Sequence, residues 1–370
     1  MNLDDVLPLF LAKRWEHHSA SGGYDQLAKV VGGKTVSRQY EKSFPSRIIR
    51  FYWRKMSRPK PYLLDYQFED WMAECRAIRK SRAEPPVVVH VLYGDEQLDL
   101  LLRRRWLLPC PLVATFHLPA SHVRGRFEHE QKHLVSGVDA AILVARCQLE
   151  EYQKWFGPDR VFYVPHGIDT HRFSPGEWKR DRSKVRLITV GDNMRDWEVL
   201  HCIADECRRL NLPVEFDVVV RKIFFPYFTG CPNVRLHASI SEDELLTLYR
   251  NADALLLPLI DATANNALLE SMACGTPVIS TFVGGIPDYV DDSAGWLFRK
   301  GEVDPILDLI KHSCEHPGAL QLKRAAARTK AEEFDWQEIH KRIVSVYKAV
   351  SKGCSANRKK KFPRPINSDR

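Results

Sequence analysis

Short apolar, β-branched runs alternate along the chain with longer stretches whose apolar residues recur at helical spacing. In the first half, 6–11, 87–92, 112–116, 140–144 and 161–164 read as buried strands. In the second half, 185–190, 216–220, 234–236, 254–257 and 278–280 read the same way. Between them, 197–210, 241–250 and 266–274 read as helices. Continuous apolar runs suit strands buried on both faces, and intervening helices supply the crossovers that parallel strands need. Ser241 followed three residues on by Glu244 is a capping box, which gives that helix a defined start. The stretch 173–184, FSPGEWKRDRSK, is polar, contains Pro175 and Gly176, and separates the two halves. The pattern predicts an α/β protein with two parallel-sheet domains, 1–172 and 185–335, joined by a linker at 173–184.

Length agrees, since 370 residues exceed what one ordinary core fills. With 44% hydrophobic and 28% charged residues, the composition is globular rather than disordered. No apolar run is long enough to span a membrane. The start, Met1 to Asp5, lacks the basic and apolar regions of a secretory signal. Nine cysteines at irregular spacing, with no C-x-x-C pair, argue for free thiols in a reducing compartment. A cytoplasmic protein is expected. The net charge of +8 is concentrated in two stretches. Residues 34–62 hold nine Lys/Arg against Glu41, and 351–370 hold seven against Asp369. The latter stretch, with Pro363 and Pro365 and little apolar content, reads as a disordered basic tail.

The chemistry concentrates in 261–287, DATANNALLESMACGTPVISTFVGGIP. A strand feeds a small-residue loop, then a helix carrying Glu270, then a second strand and a Gly-Gly turn. A loop that opens a helix at the carboxyl end of a parallel sheet exposes N–H groups and the positive end of the helix dipole. That arrangement suits an anionic or hydroxyl-rich ligand. A carboxylate one turn into the helix can accept both hydrogen bonds of a vicinal diol such as ribose. On spacing alone, Glu270 could equally decorate a solvated helix face.

Four blocks together resemble glycosyltransferase family 4: VPHGIDTHRFSP (164–175), ADALLLPL (252–259), NNALLESMACGTPVIS (265–280) and VGGIPDYV (283–290). The resemblance implies the GT-B fold, two Rossmann-like domains with parallel sheets facing a central cleft. It implies transfer of a hexose from a nucleoside-diphosphate sugar with retention of anomeric configuration. It also implies that Phe334-Asp335-Trp336 opens a final helix, 336–350, that crosses back to the first domain. Glu270 matches the family's ribose-binding glutamate. The family's other glutamate falls at Ala262, where Asp261 is the nearest substitute and the loop through Asn265 and Asn266 offers N–H groups to the sugar. The family's basic pair on the diphosphate is represented by Arg195 after Gly191, joined by Arg221 or Lys222. In the first half, Gly22 and Gly23 resemble the family's glycine loop, and His117 its histidine near the donor sugar. His90 and His166 read as packed, structural histidines.

Other motifs carry less. His129-Glu130-Gln131-Lys132-His133 fits the zinc-peptidase pattern, but Arg126, Glu128 and Lys132 make the stretch charged where zinc helices are apolar. No D-x-D triplet occurs, so no metal and no separate cofactor is expected. The stretch 46–62, SRIIRFYWRKMSRPKPY, reads as an amphipathic surface helix or as a surface for anionic lipid or a lipid-linked acceptor. No RNA-binding motif accompanies it, so nucleic acid is not an expected partner. The expected partners are a nucleotide sugar and an acceptor that is a sugar, a lipid-linked glycan or a small molecule. An anionic membrane surface joins them, which would place the protein peripherally on the inner face of the membrane. The alternatives are a sugar-nucleotide epimerase or hydrolase on the same fold, and a non-catalytic binding protein.

Overall fold

The computed structural model describes residues 7–13, 21–38, 53, 66–177 and 183–361. It contains two six-stranded sheets, and every strand pair in them is parallel. The first holds β1 (Leu9–Ala12), β2 (Lys34–Ser37), β3 (Val89–Val91), β4 (Leu112–Phe116), β5 (Ala140–Leu143) and β6 (Val161–Tyr163), in the order β2-β1-β3-β4-β5-β6. The second holds β7 (Val185–Val190), β8 (Val214–Val219), β9 (Val234–His237), β10 (Ala254–Leu257), β11 (Val278–Thr281) and β12 (Gly295–Phe298). Its order is β12-β11-β10-β7-β8-β9. In both sheets the order reverses beside the first strand of the half, the point where such sheets open a ligand crevice. Fold class and parallel topology are as expected.

Two strands lie outside the runs read above as strands. β2, KTVS, buries only Val36, and β12, GWLF, buries only its glycine. Both are edge strands, which need only one covered face.

The first sheet is buried on both sides. Along β1, Leu9 and Leu11 enter one apolar cluster, whereas Phe10 and Ala12 enter another. Successive side chains of a strand point to opposite faces, so each cluster is one face. The second face is covered by the final helix, Trp336–Lys361, through Trp336, Ile339, Ile343, Val346 and Tyr347. This helix begins in the second half and packs on the first. His90 lies under it, fully buried, with Nδ1 2.6 Å from the Tyr347 hydroxyl and Nε2 2.8 Å from Thr115 Oγ1. Burial pushes its imidazole down to about 3, so it stays neutral, as a packed histidine should.

The expected tail needs correction. The final helix runs through Lys361, eleven residues into the stretch read as disordered, and 362–370 lie outside the described residues. Extending a packed helix adds one hydrogen bond per residue fixed, without a new nucleus.

The two halves touch at several points. Ile168 N–H donates to Phe334 O at 2.9 Å and Trp336 N–H to Ile168 O at 3.1 Å, so both chain crossings lie side by side. A Cβ on Gly167 would overlap the Trp336 ring. Tyr289 receives His166 N–H at 2.9 Å and donates to Val144 O. Arg146 N–H donates to Asp288 Oδ2 at 2.6 Å. The expected linker is described only at its ends, where Arg250 Nε donates to Ser174 O at 2.7 Å.

Candidate functional site

The carboxyl ends of both sheets face the seam between the halves. On the second half, β10 runs into the loop 258–265 and then the helix Asn266–Ala273. Asn265 caps this helix, its Oδ1 accepting the Leu268 N–H at 3.3 Å. Its carbonyl side is therefore occupied with the helix. The N–H groups of Thr263, Ala264, Asn265, Asn266 and Ala267 have no hydrogen-bond partner among the described residues. Five such groups at the positive end of a helix dipole form an anion cradle.

Glu270 lies one turn into this helix and is 6% exposed. Tyr249 O–H donates to its Oε2 at 2.9 Å. Burial pushes the carboxyl up to about 8, against the Tyr249 hydrogen bond, and Glu242 adds to the rise. A solvated helix face is excluded. The linkage has a definite sign. Unfolded, this group titrates near an ordinary glutamate; folded, it holds its proton to about pH 8. The native state therefore binds more protons between those values, and stability falls as pH rises across them. Glu270→Gln, which carries no charge to bury, should match the wild type in thermal midpoint at pH 4.5 and exceed it at pH 8.5. Equal midpoints at both would mean the carboxyl is not desolvated.

Asp261 is engaged by its own loop. Its Oδ1 accepts the N–H of Ala262 at 2.8 Å, and Ala262 is 7% exposed. Ala262 O accepts the Gly285 N–H at 2.9 Å. Gly284 has φ +51°, and a Cβ there would overlap Ala262 O. The glycine pair thus lets two loops close tightly at the position where the family carries its first glutamate.

Arg195 is engaged with backbone carbonyls at the end of β7. Its Nε and Nη2 donate to Val190 O at 3.2 and 2.6 Å, and Nη1 to Asn193 O at 2.6 Å. It is 6% exposed, and burial lowers its guanidinium to about 10. A guanidinium turned onto strand-end carbonyls fastens the loop after β7. The reason is Gly191, whose φ of +78° bends the chain back so that the side chain lies beneath it. Arg221 and Lys222 follow β8 on the neighbouring loop. Both are exposed; Arg221 pairs with Asp192 and lies 5.6 Å from the Phe224 ring centroid.

On the first half, His117 ends β4. Its Nε2 lies 2.8 Å from Leu92 O, and a carbonyl only accepts, so Nε2 carries a proton. Its own N–H donates to Asp95 and its carbonyl accepts Thr263 Oγ–H from the other half. The ring packs edge-on to Tyr24, centroids 4.7 Å apart. Gly22 and Gly23 are buried beside it, and Gly23 has φ +95°. The structure thus brings His117 against the loop that precedes Glu270. His166 is buried, and burial lowers it to about 4, the state of a packed histidine.

Three contributors had no clear motif. Glu242 accepts Ser21 N–H and Ser21 Oγ–H, both at 2.9 Å, and Arg172 Nε–H at 2.6 Å, tying the glycine loop to the second half. The capping box at Ser241 places Glu242 in the first helical turn, but nothing local reveals its partner. Tyr249 and Tyr289 act through residues far off in sequence. A cavity of about 370 Å³ lined by His237, Ile240, Asp243, Glu244, Thr247 and Leu248 lies past the end of β9.

Side chains 126–133, including the H-E-x-x-H pair, lie outside the described residues, as does 46–62 apart from Trp53. Among the described residues no cluster of three or more His, Cys, Asp or Glu could hold a metal. No helix among them is long and apolar enough to cross a membrane.

Residues 33–172 match the family described as Glycosyltransferase Family 4, and residues 173–316 match Glycosyl transferases group 1. Among curated relatives, a D-inositol 3-phosphate glycosyltransferase of Streptomyces bingchenggensis is 31% identical over 270 residues, 64% of this chain and 57% of that protein. The MMP α-(1→4)-mannosyltransferase of Mycolicibacterium hassiacum is 25% identical over 285 residues, 72% and 65%. The sulfoquinovosyl transferase of Arabidopsis thaliana is 25% identical over 187 residues, 46% and 36%. The matches thus span about a third to two-thirds of these relatives. Among solved structures, a glycosyltransferase of Rickettsia africae superposes with TM-score 0.69 at 12% identity, covering 94% of this chain and 99% of that one. An Anabaena protein, HepE, in complex with UDP-glucose superposes with TM-score 0.66 at 13% identity, covering 94% and 99%. At these identities the structures establish the fold, GT-B.

Proposed function

The chain belongs to the family 4, group 1 glycosyltransferases, and on that premise we propose that it transfers a hexose from a nucleoside-diphosphate sugar with retention. The observation that carries this is Glu270, a buried carboxylate one turn behind five unpartnered N–H groups. Ribose hydroxyls bind Glu270, and the diphosphate lies on the cradle 263–267. The base occupies the cavity beside His237 and Ile240. Arg221 and Lys222 stand on the adjacent loop to offset the charge that grows on the leaving diphosphate. Arg195 serves indirectly, holding the loop after β7. The Anabaena neighbour's UDP-glucose supports a uridine-type donor.

His117 and the Gly22–Gly23 loop cover the donor from the first half, where the acceptor enters. With Nε2 committed to Leu92, His117 orients the sugar; retention on one sugar face needs no base there. Closure excludes water that would otherwise intercept the activated sugar. Because N–H groups and cations neutralise the diphosphate, the reaction needs no metal and should persist in EDTA. Activity abolished by EDTA and restored by a divalent cation would overturn that part. The acceptor is a sugar, a lipid-linked glycan or a small molecule. The basic, aromatic stretch 46–62 supports an acceptor at an anionic membrane surface; salt-sensitive binding to anionic vesicles tests it.

The deciding experiment is a panel of sugar nucleotides screened by thermal shift, followed by nucleoside-diphosphate release with and without acceptor. A transferase needs the acceptor and a hydrolase does not. A binding protein releases none.

A further inference from the structure

Glu270 is held by a neighbour with no assigned role. Tyr249 lies near the end of the helix Glu242–Asn251, is fully buried, and donates its phenol O–H to Glu270 Oε2 at 2.9 Å. The same residue's carbonyl accepts Thr276 Oγ–H at 2.7 Å, just past the helix that carries Glu270. Thr276 N–H in turn donates to Ser271 O at 2.9 Å. Tyr249 therefore grips the Glu270 helix at two places, the functional carboxylate and the residues that terminate it.

From this geometry we infer that Tyr249 is a positioning residue for the donor nucleotide, fixing Glu270 so that Oε1 meets the ribose. The inference rests on the donor reading above. A free glutamate side chain samples several rotamers, and freezing it at binding costs affinity. Here the phenol has already restricted it. One oxygen is engaged by Tyr249, while Oε1 has no hydrogen-bond partner among the described residues. The phenol also favours the ionised carboxylate, opposing the burial that pushes Glu270 up to about 8. The charged and titratable groups around the pair are Glu242 on the Tyr249 helix, Cys274 at the end of the Glu270 helix, and Arg195 from the loop after β7. Glu242 disfavours the carboxylate, and Arg195 lies on the Tyr249 side. Tyr249 is the one direct hydrogen-bond donor to the carboxyl among the described residues.

The test is calorimetric binding of UDP, with ADP and GDP in parallel, to full-length wild type, Tyr249→Phe and Glu270→Ala between pH 6 and 9. Wild-type affinity should rise with pH as Glu270 ionises. Tyr249→Phe should bind the preferred nucleotide about five- to tenfold more weakly at pH 7, the effect of one lost hydrogen bond. Its rise should be displaced to higher pH, because the donor that favours the carboxylate is gone. A merely structural role would lower thermal stability without moving that midpoint. If Glu270→Ala binds every nucleotide as tightly as wild type, the donor reading itself fails. If Glu270→Ala weakens binding while Tyr249→Phe leaves both affinity and midpoint unchanged, the role of Tyr249 is overturned. If Tyr249→Phe does not fold, infrared difference spectra of the wild type with and without UDP decide. A tyrosine phenol band moving with the carboxylate band supports the inference, and a carboxylate change without it refutes it.

Discussion

Above pH 8, where the carboxyl is ionised, Glu270→Ala lowers donor affinity by about 1.5–3 kcal/mol, roughly 10- to 150-fold, the range for hydrogen bonds to a charged group. The fold survives this change. Removing the carboxylate leaves the Tyr249 hydroxyl without its acceptor, yet it also removes a group whose ionised form burial disfavours. These effects oppose each other, so the thermal midpoint moves little at neutral pH while binding collapses. Titration calorimetry on the preferred nucleotide checks the first quantity and a melting curve the second. Donor affinity unchanged within twofold would remove Glu270 from the site.

Gly285→Ala lowers turnover by about 100-fold or more while nucleotide binding changes only a few-fold. A Cβ at 285 would lie 2.5 Å from Ala145 Cβ on the other half and 2.5 Å from Thr263 O on its own. Real side chains do not approach so closely, so either the halves part or the donor loop shifts. Overpacking of this kind costs about 1–3 kcal/mol and is relieved where the structure yields most easily. The seam yields first, because interfaces between domains are less tightly built than cores. Opening by about 1 Å displaces His117 from the donor loop, and misplacement on that scale costs about 10²-fold in rate. The base and ribose sites lie within the second half and stay assembled. Steady-state kinetics with nucleotide binding measured separately checks the split. Equal losses in binding and turnover would place the damage in the donor loop and not at closure.

Much of this architecture is legible in one dimension. Central strands such as 112–116, 185–190 and 254–257 coincide with their apolar runs, because a strand buried on both faces is predominantly apolar. Ser241 with Glu244 and Asn265 before its helix mark starts through bonds that span only three residues. Glu270 is legible because its loop, helix and spacing are local.

Tertiary structure decided the rest. Whether a carboxylate is a solvated ornament or a buried ligand group depends on what covers it, and Tyr249, 21 residues earlier, does so here. The fate of Arg195 turned on a backbone bend at Gly191 that aims the guanidinium inward, and no spacing encodes direction. Edge strand β2 escaped notice because one covered face asks little of a sequence. Ser21 with Glu242, and Tyr289 with Val144, meet only once both halves have formed and packed together. Local patterns select elements through short-range sterics and burial; only the packed molecule selects which distant polar groups answer one another.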